Sequence, residues 1–69
     1  MADYYLRGHT KDARITLPIK NLNEAIDYTI KNSSKFPDKT ITLEEYTKQK
    51  KTAEFAYKSG KQIKIGLYI

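Results

Sequence analysis

Few residues of this chain have the types and spacing that catalysis requires. Cysteine is absent and His9 is the single histidine, which excludes a cysteine nucleophile and a thiolate metal site. The three serines could act as nucleophiles only with His9 as their base. Glu44 and Glu45 are neighbours, and neighbouring residues of a strand point to opposite faces, so they do not form an acid–base pair. We therefore expect a protein that is not an enzyme.

Motifs for metals and phosphates are also missing. Asp12 lies three residues from His9, but no third ligand is evident nearby. The three glycines, Gly8, Gly60 and Gly66, lie far apart and form no phosphate-binding loop. We expect no metal and no cofactor.

Positive charge is concentrated in one part of the chain. The net charge is +5, and residues 1–47 carry equal numbers of basic and acidic groups. Residues 48–64 therefore hold the whole excess, with Glu54 as their one acidic residue. Such a segment could contact nucleic-acid phosphates, or it could be a solvated turn whose lysines keep an edge strand from pairing. The candidate phosphate-binding residues are Lys48, Lys50, Lys51, Lys58, Lys61 and Lys64.

Aromatic residues supply the second candidate surface. The chain has six Tyr and two Phe, and four of these, Tyr4, Phe36, Phe55 and Tyr57, suit a core. Other tyrosines fall on the strand face away from the core, together with basic residues. Tyr and Arg often anchor protein interfaces, although a solvated sheet face has a similar composition. Glu44 and Glu54 share this face, which weakens a nucleic-acid role. The candidate partner-binding residues are Tyr5, Arg7, Arg14, Tyr46 and Tyr68.

The elements that position these residues follow from periodicity. Tyr4–Arg7 and Ala13–Ile19 read as a hairpin, and Pro18 marks the second strand as an edge or a strand end. Asn21 then caps a helix whose apolar residues recur at positions 22, 25, 26, 29 and 30, and Pro37 ends that helix. The last strand alternates Ile63, Ile65, Leu67 and Ile69 with other residues.

Residues 43–58 are compatible with two structures. As strands, they place Phe55 and Tyr57 on one face and use Ser59-Gly60 as a turn. As a helix, they begin at a Thr42 cap and end at Gly60, but Phe55 then lies on the polar side. We favour strands, which gives an α+β fold of order ββαβββ; the alternative is ββααβ.

The segment LNEAIDYTIKNSSKFPDKTITLEEY, residues 22–46, resembles small uncharacterised proteins of phages and mobile elements. The resemblance rests on a helix followed by an aromatic-Pro break and a strand. It implies a compact binding protein, often directed at a host or defence protein, and assigns a role to no residue.

Length and composition complete the expectations. With 69 residues, 1–69 form one small domain, and no apolar run is long enough to span a membrane. We expect a cytoplasmic protein, in the host cytoplasm if phage-encoded. A protein partner is expected first, with nucleic acid as the alternative and no membrane partner. A homodimer through an edge strand is a third hypothesis.

Overall fold

The computed structural model describes residues 2–8 and 14–68, in which one helix packs on a five-stranded antiparallel sheet. The elements follow the predicted order ββαβββ. Their bounds are β1 (Ala2–Arg7), β2 (Ile15–Leu17), α1 (Leu22–Lys35), β3 (Ile41–Thr47), β4 (Lys50–Lys58) and β5 (Lys61–Leu67).

The spatial order of the strands is β2-β1-β3-β4-β5. Helix α1 carries the chain across the sheet, so that β3 pairs with β1 rather than with β2. The two edges are therefore β2 and β5. Pro18, which lacks an N–H donor, follows the last residue of β2, as the sequence predicts for an edge strand.

Residues 43–58 are strands, and the helical alternative is wrong. Two turns make β3, β4 and β5 a continuous meander. Lys48 and Gln49 have φ of 53° and 66°, and Ser59 and Gly60 have φ of 53° and 78°. Two consecutive residues with positive φ form the turn whose twist matches that of an antiparallel hairpin.

Helix α1 begins at the predicted cap. The Asn21 side chain accepts a hydrogen bond from the Glu24 N–H at 3.2 Å. Small residues, Ala25, Thr29 and Ser33, form the buried line of the helix and let it approach the sheet closely. They pack against apolar side chains from the sheet. The fully buried apolar side chains of this core include Leu6, Ile41, Leu43 and Tyr57.

One core expectation is wrong. Phe36 is exposed, and the Lys39 Nζ lies 5.6 Å from the centre of its ring. The β4–β5 turn lies beside the helix end, where the Gly60 N–H donates to Ser33 Oγ at 2.8 Å. Phe36 is the residue that caps the end of the helix, and its ring lies against Lys39 instead of in the core.

The helix covers the middle of the sheet and leaves one edge open. It contacts β3 and β4, whereas the apolar side chains of β5 remain exposed. No helix of the described residues is long and apolar enough to cross a membrane.

Candidate functional site

The candidate site lies on the sheet face opposite α1, here called the open face. Strand register aligns Tyr5, Glu44, Glu54 and Gly66 in one row across β1, β3, β4 and β5. Residues two apart on a strand share a face, so Arg7 and Tyr46 belong to the same face as this row. The open face is therefore built from at least four of the five strands, with β3 near its centre.

A buried carboxylate lies at the centre of the open face. The Glu44 side chain is only 2% exposed, although it points away from the apolar core. Its Oε2 lies 3.0 Å from Lys51 Nζ and 3.4 Å from Arg7 Nη1. The Arg14 Nη1 lies 4.0 Å from its Oε1, which has no hydrogen-bond partner among the residues that the structure describes. Three cations thus converge on one desolvated carboxylate, which they compensate.

Two tyrosine rings hold one of these cations. The Arg14 guanidinium lies 4.5 Å from the Tyr5 ring centre and 5.2 Å from the Tyr46 ring centre. The two rings meet edge to face, at 5.2 Å and 87°. Both contacts fall within the range of cation–π attraction. Arg14 directly precedes β2, and both this stacking and the ion pair with Glu44 hold it over the open face.

The ion-pair network of the open face extends through Lys51 toward β5. Lys51 Nζ also lies 2.9 Å from Glu54 Oε1, and the Tyr68 hydroxyl donates to the same carboxylate. The Tyr68 hydrogen bond and then Lys51 hold the pKa of Glu54 below its ordinary value. The hydrogen bonds from Lys51 to Glu54 and Glu44 raise the pKa of Lys51, which keeps the ammonium charged. Lys51 therefore connects the two carboxylates of the open face.

A β-bulge places Lys51 on this face. Glu45 pairs with Ala53 but Tyr46 pairs with Lys51, so Thr52 is an extra residue in β4. Without it, the alternation of β4 would point Lys51 toward the helix side.

The bulge also fixes Glu45 on the face opposite to Glu44. The Thr52 Oγ1 donates to Glu45 Oε1 at 2.7 Å, and the Tyr4 hydroxyl donates to Glu45 Oε2 at 2.9 Å. Burial, followed by this bond to Glu45, raises the pKa of Tyr4 to about 12. The two neighbouring carboxylates thus have separate partners, as strand alternation predicts.

The structure brings the five predicted partner-binding residues onto one face. Arg7, Arg14 and Tyr46 line a shallow pocket with Glu44 as its floor, and Tyr5 stacks beside it. Tyr68 lies on the other side of Lys51 and joins through Glu54. Sequence reasoning missed Glu44 as the centre and Lys51 as the bridge.

No family model, curated protein or solved structure matches this chain. The site is therefore interpreted from its own geometry.

The six candidate phosphate-binding lysines do not form one patch. Lys48 and Lys50 lie at the β3–β4 turn, and Lys58 and Lys61 lie at the β4–β5 turn. The length of β4, about 26 Å at the usual rise per residue, separates these two ends. Lys64 lies within β5, and Lys51 is bound by two glutamates.

Within the described residues, no group of three or more His, Cys, Asp or Glu side chains could hold a metal ion. His9 and Asp12 lie outside the described residues.

Proposed function

We propose that this chain is a non-enzymatic binding protein whose open face binds an acidic surface of a partner protein. The observation that carries the proposal is the arrangement of Arg14 between Tyr5 and Tyr46, with Arg7 beside it and Glu44 beneath. Tyr and Arg are the residue types most often found at the energetic centre of protein interfaces.

The arginines of the open face are held in place, yet about half of each side chain remains exposed to a partner. Arg7 and Arg14 remain about half exposed, at 53% and 46% of their side-chain surface. A guanidinium has five N–H donors in a fixed fork, and Glu44 occupies only a small part of them. A carboxylate of the partner could therefore bind the outer edges of both groups. Because the tyrosine rings restrain Arg14 beforehand, less conformational entropy is lost on binding.

The charge of the open face favours an acidic partner. Arg7, Arg14 and Lys51 outnumber Glu44 and Glu54. Both carboxylates are bound to these cations, with Lys51 shared between them, so the outward charge is positive.

Two other interpretations explain less of this geometry. A face that only meets solvent has no need of a desolvated carboxylate, whose burial costs free energy. A nucleic-acid surface would gain from lysines in one band, yet these lie at both ends of β4. Nucleic-acid binding is one of the results that the test below can give.

The resemblance of residues 22–46 to small phage proteins extends the proposal. A compact protein that covers an acidic surface of a host or defence protein would inhibit or redirect that protein. It would meet such a partner in the host cytoplasm.

The test compares a variant that loses a positive charge on the open face with a variant that loses one on the helix. Wild-type protein, Arg14→Gln and Lys31→Gln are immobilised on three separate columns. Each variant has one positive charge fewer than wild type, and Lys31 lies exposed on the helix. We expect a protein that wild type and Lys31→Gln retain from a cell extract and that Arg14→Gln loses. The retained protein is then purified and titrated. It should bind Tyr5→Ala at least about tenfold more weakly than it binds wild type.

Retention of the same proteins by all three columns would contradict the proposal. So would tight binding of a single-stranded oligonucleotide at about 50 mM salt that collapses at about 300 mM and does not depend on Arg14. That second result would favour the lysine-based alternative.

A further inference from the structure

Strand β5 carries an exposed apolar stripe, formed by Ile63, Ile65 and Leu67. These side chains are 56%, 54% and 68% exposed. Ile65 pairs with Phe55 and Leu67 pairs with Ala53, both buried core residues, so these two side chains lie on the helix side of the sheet. Ile63 is the extra residue of a β-bulge between Gln62 and Lys64. The stripe is thus a continuation of the core beyond the edge of α1, and it is separate from the open face.

The outer side of the β5 backbone has no pairing partner among the described residues. The Tyr68 N–H donates to the Thr52 carbonyl of β4 at 3.0 Å. N–H and C=O directions alternate along a strand, so those of Ile65 and Leu67 point away from β4. A strand is the element that can satisfy this row of donors and acceptors while it covers the stripe.

The other edge of the sheet is protected. Strand β2 has only three residues, and Pro18 follows it directly. Shortness and proline are two common ways in which proteins prevent edge pairing. Strand β5 has seven residues and no proline, and its bulge at Ile63 leaves residues 64–67 as the regular part of this edge, which is the part open to pairing.

We propose that the occupant of this edge is β5 of a second copy of the chain, antiparallel, with the two-fold axis at Ile65. In this register Ile65 faces Ile65 of the other copy, and Leu67 lies beside the bulged Ile63 of that copy. The outward N–H and C=O of Ile65 would form a reciprocal pair of hydrogen bonds across the axis. The stripe is self-complementary, as a two-fold interface requires.

The charges of β5 favour the same register. It places Lys64 of one copy opposite Gly66 of the other. Beside Gly66, the Tyr68 hydroxyl donates a hydrogen bond to Glu54. The lysine therefore meets an aromatic ring and a carboxylate. If one strand slid by two residues, Lys64 would instead face Lys64, which is unfavourable.

The interface is small. One strand pair with three apolar side chains from each copy buries less than the roughly 1,200 Å² of stable complexes. We therefore expect a reversible dimer, present at roughly hundreds of micromolar protein and dissociated at low micromolar concentrations.

Single-cysteine variants test the register directly, since the chain has no cysteine of its own. In the proposed pair, the two Ile65 Cα atoms lie about 5.5 Å apart, which is within disulfide range. The two Lys64 Cα atoms lie about 8 Å apart, which is beyond it. We expect mild oxidation to cross-link Ile65→Cys at least about tenfold faster than Lys64→Cys or Tyr28→Cys, a helix-surface control.

Equal cross-linking rates in the three variants, or faster cross-linking of Lys64→Cys, would overturn the register. Light scattering gives the second measurement. Wild type should increase in mean mass with concentration, whereas Ile65→Lys should stay monomeric and Tyr28→Lys should behave as wild type. A wild type that stays monomeric up to roughly millimolar concentration would overturn the second copy as occupant. Arg14→Gln should dimerise as wild type does, so a failure here is distinguishable from a failure of the open-face proposal.

Discussion

Replacement of Glu44 by glutamine is the sharpest probe of how the open face is held together. The substitution keeps the shape of the side chain but removes the charge that Lys51 and Arg7 share, at 3.0 Å and 3.4 Å. A charged hydrogen bond contributes about 1 kcal/mol more than a neutral one, so two of them give about 2 kcal/mol. The residual cations are partly exposed and are solvated, which keeps the cost below that of an unpaired buried charge.

The size of this loss is easily measured in a domain of this length. Total stability is expected at about 3–10 kcal/mol, and 1 kcal/mol corresponds to about 4–8 °C in the midpoint of thermal unfolding. Glu44→Gln should therefore lower the midpoint by about 8–16 °C. Urea unfolding followed by circular dichroism gives the free energy independently.

Glu54→Gln is the matched control. Glu54 has the same cation as a partner, but its side chain is 17% exposed and more strongly screened. We expect a loss below about 1 kcal/mol there. A Glu44→Gln protein within about 0.5 kcal/mol of wild type, or an equal loss in Glu54→Gln, would refute the view that the buried carboxylate organises this face.

Three further predictions concern pH and backbone conformation. The pKa of Tyr4 is raised from its ordinary 10 to about 12, so its neutral phenol stabilises the fold below pH 10. That contribution is lost as pH rises from 10 through 12, and thermal melts of Tyr4→Phe should show a shallower alkaline decline. The pKa of Glu54 is lowered in the fold, so its contribution is present near neutral pH and is lost on acidification. In Tyr68→Phe, an NMR titration should show the pKa of Glu54 moving upward, and an unchanged value would contradict the hydrogen bond. Gly8 and Gly60 both have positive φ, and an added Cβ would meet a backbone carbonyl at the first and a serine hydroxyl at the second. Gly8→Ala should therefore cost about 2 kcal/mol or more and Gly60→Ala about 1 kcal/mol in urea unfolding, and the reverse order would contradict this geometry.

The order of elements could be predicted because each has a local signal. Asn21 caps the helix, and alternation predicts a strand over Ala13–Ile19. Ala13 lies outside the described residues, and Ile15–Leu17 forms β2. Residues 43–58 were harder, since the turn at Lys48 and Gln49 lacks the glycine or asparagine that usually marks a two-residue hairpin. Cross-strand pairing overrides the high helix propensity of this segment, because the core needs Phe55 and Tyr57 on one face.

The candidate site was predictable in its members but not in its centre. A period of two places Tyr5, Arg7 and Tyr46 on one face without knowledge of the fold. The bulge at Thr52 reverses the direction of Lys51, and no local pattern in the sequence marks it. The partners of Glu44 come from three other strands or their flanks, which only the assembled sheet brings together.

Site-specific photocross-linking in living cells tests whether the open face binds a partner protein. A photoreactive phenylalanine analogue is placed at Tyr46 on the open face and, as a control, at Tyr28 on the exposed surface of the helix. If the open face binds a partner protein, irradiation should give a discrete protein adduct from position 46 that is absent from position 28 and is lost when Arg14→Gln is added. No protein adduct at position 46, or the same adducts from both positions, would contradict the proposal that the open face binds a partner protein.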